Sequence, residues 1–193
     1  METNKKIYLV SIGKIDGEIL DFLKTYLSQN FNLPCVVGEA LPSPDYAYNQ
    51  ERQQYWSTAI LARLKQKISK DALRVLGIID LDLFAPELNF IFGEADITGR
   101  VSLISLYRLR NETYGLSPDR DLLFKRAAKE AVHELGHTFG LRHCADVKCV
   151  MHFSNCLKDT DIKSAEFCKD CIARMRPDEH RYFRMNLNNV LNF

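Results

Sequence analysis

The run from His133 to His143, His-Glu-Leu-Gly-His-Thr-Phe-Gly-Leu-Arg-His, fixes histidines at 133, 137 and 143, a glutamate at 134 and a glycine at 140. On a helix, His133 and His137 stand one turn apart on one face, so two imidazoles reach one metal ion without backbone strain. Gly140 can take the positive φ that ends the helix and turns the chain. His143 then returns to the metal from outside the helix. Three neutral imidazoles leave a fourth zinc position for water, which is the catalytic rather than the structural arrangement. Glu134 adjoins the first ligand and can take a proton from that water. The competing reading is a helix with histidines on a polar face and no metal; the glycine and the third histidine argue against it.

The remaining chain is long enough to bury a core around such a site. Its 193 residues fit one domain without help from disulfides. Hydrophobic residues make up 46% and charged residues 26%, and the net charge is +1, so nothing argues for nucleic acid or a membrane surface as partner. The longest apolar run, Val75 to Ile79, is too short to span a bilayer. Met-Glu-Thr-Asn-Lys-Lys precedes too few apolar residues before Lys14 to make a secretory signal, so a cytoplasmic protein is expected. The sequence leaves the oligomeric state open, with a monomer favoured.

Taken in order, Ile7–Gly13 reads as a buried strand and Asp16–Gln29 as a helix with Ile19, Leu20, Leu23 and Leu27 inward. Phe31–Val37 reads as a second strand, with Cys35 as an inert core thiol. Tyr48–Lys67 reads as a helix with Ile60, Leu61 and Leu64 as its stripe, and Arg74–Phe84 as a third strand. Strand, helix, strand, helix, strand implies right-handed crossovers and a mostly parallel sheet. Asp80 and Asp82 share one face of that strand and read as loop contacts rather than catalytic acids. Asn89–Asp96 and Val101–Tyr107 flank a turn at Thr98–Gly99, making the first an antiparallel edge strand. Phe90, Phe92, Gly93 and Glu94 on that edge could receive an extended peptide as one more strand. Ser117 and Pro118 read as the cap and first residue of the histidine helix. Residues 152–164 read as irregular, and Ala165 to about Met175 as a short helix.

Six cysteines are present, and Cys144, Cys149, Cys168 and Cys171 form two close pairs. In a chain without an export signal, four thiolates around a closed, structural zinc are favoured over two disulfides or an iron–sulfur cluster. Cys156 is left over.

These residues together resemble a known family. The HExxHxxGxxH pattern followed by Met151 is similar to the metzincin zinc peptidases. Cys144 directly after the third histidine, Cys149-x-Met151 and the distant CxxC resemble the archaemetzincin branch. Tyr48-Asn49-x-x-Arg52-x-Gln54-Tyr55, Asn89-Phe-x-Phe-Gly-Glu94 and Cys149-Val-Met-x-Phe-Ser-Asn155 carry the same resemblance, which spans residues 1 to about 175.

The resemblance implies an α+β zincin-type fold: a twisted, mixed, mostly parallel sheet with an antiparallel edge strand, and an active-site helix under a cleft. It divides residues 1–175 into an N-terminal part, 1–140, and a small zinc-stapled C-terminal part, 141–175, with 176–193 as a tail. It implies two zinc ions: one catalytic on His133, His137 and His143, one structural on the four cysteines. It gives Glu134 the role of general base and Met151 that of an apolar floor beneath the metal. A zinc-dependent peptidase acting on peptides or proteins is the expectation. The alternative is a zinc-stabilised peptide-binding module with little or no hydrolytic activity. Phe153 stands where some metzincins have a tyrosine that approaches the metal, and it has no oxygen to offer.

Overall fold

The β-rich run Lys6–Ile12 (β1) is flanked in space by Cys35–Val37 (β2) and Ala72–Ile79 (β5), both parallel to it. The structure is a computed structural model that describes residues 5–176 and 179–182. Between these strands lie helix Gly17–Phe31 (α1) and a short excursion of two strands, Tyr48–Asn49 (β3) and Gln54–Trp56 (β4), leading into helix Ser57–Lys65 (α2). Leu83–Phe84 (β6) comes after β5, then Gly93–Ala95 (β7) and Val101–Ser105 (β8). The main sheet runs in the order β2-β1-β5-β8-β7, parallel throughout except for β7, which lies antiparallel to β8 at the edge. The expected mixed, mostly parallel sheet with an antiparallel edge is therefore what forms.

Every residue of β5 is buried because helices cover both of its faces. On one face Ile19, Leu23, Leu27 and Phe31 of α1 join Leu76 and Ile78 with Val132, Leu135 and Phe139 of the histidine helix. On the other, Ile60, Leu61 and Leu64 of α2 meet Val75, Ile79 and Leu103. Asp16 starts α1 by accepting the Glu18 N–H at 2.9 Å.

Four expected boundaries move, each for a local reason. The first helix takes Phe31, and β2 is only three residues long, because Pro34 offers a carbonyl to Ile7 N–H (2.9 Å) but has no N–H of its own. The second helix begins at Ser57 rather than Tyr48, since residues 48–56 pair as a hairpin turned through Gln53 at φ 54 and β4 then runs beside β6. The third strand divides: Ala72–Ile79 stays in the main sheet while Leu83–Phe84 joins the small one. Asp80 and Asp82 fall in the join and take ion pairs from Arg110 and Arg108, both at 2.6 Å, the loop role expected of them. The histidine helix, Arg120–Thr138 (α3), is capped by Asp119, whose carboxylate accepts from Leu122 N–H at 2.9 Å; Ser117 and Pro118 lie outside it.

The segment expected to be irregular contains helix Leu157–Ile162 (α4), and the last helix is shorter than expected, Lys169–Arg174 (α5). A row of long polar side chains on α3 holds α4. Arg126 grips Asp161 through two bonds of 2.7 and 2.8 Å, and Lys129 Nζ donates to the carbonyls of Thr160 and Asp161 at 3.0 Å. Glu130 accepts the Thr160 hydroxyl and pairs with Lys163, which is 0% exposed, both at 3.0 Å. Of the expected tail, Glu179 is buried in an ion pair with Arg74 at 2.6 Å, and residues 183–193 lie outside those described. Among the described residues no helix is long and apolar enough to cross a membrane.

Candidate active site

Helix α3 delivers His133, Glu134 and His137 to one cleft of about 390 Å³. The helix ends as the spacing predicts: Gly140 takes φ +87, its N–H bonds the His137 carbonyl (2.9 Å), and Leu141 N–H bonds the Gly136 carbonyl (3.1 Å). That turn brings His143 back, and one ring nitrogen of each histidine lies within 4.8 Å of the others. His133 and His137 Nε2 are 3.1 Å apart. Imidazole nitrogens about 2.0–2.1 Å from a common tetrahedral centre would be about 3.3 Å apart, so the trio fits zinc.

Two backbone carbonyls orient the rings. His133 Nδ1 donates to Val150 (2.7 Å) and His137 Nδ1 to Leu141 (2.8 Å), which leaves both Nε2 atoms as free lone pairs. Burial holds all three imidazoles neutral: it depresses His133 far below the usual histidine range, brings His137 to about 4, and lowers His143. Neutral rings are what a metal requires. No side-chain motif announces these two carbonyls, and the sequence reading missed them. Phe153 packs against the His143 ring at 4.8 Å.

Glu134 is buried, and burial, followed by the nearby Glu130 carboxylate, pushes its proton affinity well above the ordinary range. Its carboxylate lies against the edge strand: a Cβ added to Gly93 would meet Glu134 Oε1 at 2.6 Å. Only glycine permits that approach. Beneath the helix, Met151 is fully buried, and a Cβ on Gly136 would meet its Sδ at 2.6 Å. Met151 therefore sits under the turn between His133 and His137.

Of the four residues expected on the edge strand, Gly93 and Glu94 lie in β7, whereas Phe90 and Phe92 precede it. Ile91 N–H bonds Leu83 in the small sheet, and the Phe92 carbonyl accepts from Ser105 in the main one, so the backbone changes sheets there. Phe92 is 4% exposed and packs in the core. Glu94 points to the opposite face from Gly93, as alternation along a strand demands, and its carboxylate accepts from Ser57 and Thr58 at the start of α2. All four still line the cleft, together with Leu88, Ile97 and Phe153.

The four cysteines converge close by. Cys144 and Cys168 sulfurs are 3.7 Å apart, as are Cys149 and Cys171, and none forms a disulfide. Thiolates 2.3 Å from a tetrahedral centre would be about 3.8 Å apart, so this set also fits zinc. Burial pushes the Cys149 and Cys171 thiols up, so ionising those two calls for a cation beside them. Cys35 is buried with its thiol raised to about 12, inert as expected. His152 gives its Nδ1 hydrogen to the Cys144 carbonyl at 3.0 Å and stands outside both clusters.

A mostly parallel sheet with one antiparallel edge, a helix offering two histidines beneath it and a third histidine returned by glycine together define a zinc metallopeptidase. Known proteins agree. The family model described as peptidase family M54 matches residues 13–177. The archaemetzincin of Methanocaldococcus jannaschii is 44% identical over 171 residues, covering 89% of this chain and 93% of its own. The crystal structure of archaemetzincin from Methanopyrus kandleri superposes with TM-score 0.76 at 39% identity, covering 88% of this chain and 92% of its own. That of a zinc-dependent peptidase from Methanocorpusculum labreanum gives 0.80 at 27% identity, covering 86% and 98%. The chain belongs to peptidase family M54, the archaemetzincins.

Proposed function

We propose that this protein hydrolyses peptide bonds with His133, His137 and His143 holding a catalytic zinc ion and Glu134 acting as general base. A zinc ion there supplies Lewis-acid activation of water and of the scissile carbonyl. Glu134 takes the proton of the attacking water on its carboxylate and passes it to the leaving amine nitrogen. Its burial supports this role, because a carboxylate with raised proton affinity can hold that proton between the two transfers. The substrate lies extended along β7, whose outer edge ends the sheet, with Gly93 admitting its backbone close to Glu134. Leu88, Ile97 and Phe153, apolar and exposed around the cleft, receive its side chains. Met151 supports the ligand helix from below.

A second, structural zinc on Cys144, Cys149, Cys168 and Cys171 ties the Met151 loop to α5 and makes the small C-terminal part, residues 141–175, a stapled unit. Four thiols gathered for zinc rather than for disulfides fit a reducing, cytoplasmic setting, and a monomer is the proposed assembly.

The observation that carries this reading is the Glu134 carboxylate lying against a glycine of the edge strand in the cleft that three convergent imidazoles line. A pure peptide-binding module has no use for a base there. The test is cleavage of a mixed peptide library, read by mass spectrometry, beside metal analysis. The native protein is expected to cut and to hold two zinc ions per chain; Glu134→Gln should keep both while losing about 100-fold or more in rate. Equal cutting by that variant would remove Glu134 from the mechanism, and no cutting by the zinc-loaded native protein would favour the binding module.

A further inference from the structure

Away from the histidine cleft, a second cavity of about 320 Å³ opens where β5 begins. Five cationic side chains line it, Lys5, Lys70, Arg74, Arg100 and Arg176, against a single carboxylate among the described residues, Glu179. That carboxylate is already engaged twice, by Arg74 and by Arg176, each at 2.6 Å. Arg100 spends one N–H on the Ala72 carbonyl at 3.1 Å, a neutral acceptor, and is in no ion pair among the described residues. Lys5 and Lys70 are exposed and in no described ion pair.

Arg74 supplies a separate sign. It is 3% exposed, and its buried Nε has no hydrogen-bond acceptor among the described residues, although a buried charged donor is costly to leave unmatched. The main-chain donors of the cavity's other wall are occupied: Thr98 N–H is held by the Asp96 side chain and Gly99 N–H by its carbonyl. Recognition must come from the side-chain cations. Guanidinium forks with ammonium groups around an enclosed space are the chemistry that selects a multivalent oxyanion.

We propose that this cavity is a binding site for a phosphate-class oxyanion, with Lys70 and Arg100 at its rim and the buried Arg74 at its base. The site is distinct from the histidine cleft, but two connections join them. The turn that walls the cavity at Thr98 and Gly99 carries Ile97 on the cleft side. The Arg74 guanidinium lies 4.0 Å over the ring of Phe139, the residue that closes α3.

Titrating inorganic phosphate into the zinc-loaded, isotope-labelled full chain and following backbone amide resonances tests the site. A parallel titration with O-phosphoserine separates a site for the free ion from one for a phosphomonoester. Saturable shifts are expected at residues 70–74 and 98–100, with affinity falling on the order of tenfold or more in Lys70→Glu/Arg100→Glu. Both side chains are exposed, so the variant is expected to fold. Lys70→Glu alone reads a smaller loss in the same direction if the pair does not. Shifts confined to residues 133–143, equal affinity in native and variant proteins, or no saturation by about 10 mM ligand would overturn the proposal.

Discussion

His143 and Cys144 are neighbours in the chain, yet the two candidate metal clusters they belong to are built by different means. Two of the three histidines stand on a helix of nineteen residues that is part of the main core, the third follows the turn after it, and the His133 and His137 rings are aimed by the Val150 and Leu141 carbonyls. The cysteine quartet is drawn from the turns at Cys144 and Cys149 and from the cap and first turn of a six-residue helix at Cys168 and Cys171, short segments that pack against the same core. One cluster has its geometry supplied by the fold. The other, with the zinc proposed for it, would supply geometry to the fold. A metal on a preorganised open site can be devoted to chemistry, whereas a metal on loops is devoted to holding them together.

This contrast can be broken or sharpened by substitution. The largest effect is expected from Cys149→Ala. Structural zinc contributes on the order of 10 kcal/mol to small metal-stapled folds, so losing one buried thiolate should remove one zinc per chain and unfold the C-terminal part. Zinc analysis with circular dichroism melting checks this, and a native-like melt would show the quartet to be dispensable. His137→Ala should do the reverse, costing about a thousandfold or more in cleavage while shifting stability by about 1–2 kcal/mol. A comparable loss of stability in both variants would erase the distinction.

Lys163→Met probes the polar seam by which α3 holds α4, since it strands the Glu130 carboxylate in a buried position; about 3–5 kcal/mol should be lost in urea denaturation. Adding Glu130→Leu should recover most of it. Gly136→Ala drives a methyl toward Met151 and Phe167, and about 1–3 kcal/mol is expected together with weaker cleavage, measured by melting and peptide assay.

The smallest effect belongs to a turn outside both clusters. A hydrogen bond from Lys65 holds the Asp96 carboxyl below its usual range. A depressed carboxyl stabilises the fold above its unfolded pKa of about 4, and that contribution disappears as pH falls through the folded value. Asp96→Asn should therefore cost under about 1 kcal/mol at neutral pH and nothing at low pH, read from melting curves across that range.

The pattern around residues 133–143 was legible because it is local. Helix periodicity places His133 over His137, and the left-handed bend at Gly140 returns His143, all within eleven residues. The strand and helix order was legible for the same reason, since apolar runs and stripes report burial directly. Misreadings cluster where burial is shared with distant chain. Residues 48–56 look helical alone but pair with each other and with residues 83–84, and α4 has too short a stripe to be seen because α3 holds it through Arg126, Lys129 and Glu130. The edge strand shortened to Gly93–Ala95 because the backbone at Ile91 and Phe92 bonds two different sheets.

By itself, then, the sequence determined the candidate metal ligands, which of them share a helix face, and that a mostly parallel sheet would form around them. Tertiary structure alone decided which carbonyls aim the histidines, that Gly93 lies against Glu134, that Gly136 rests on Met151, and that five cations from separate segments face one cavity. The reason is physical: ligand type and periodicity are written in neighbouring side chains, whereas orientation and electrostatic environment depend on backbone atoms and charges that meet only after the chain has packed.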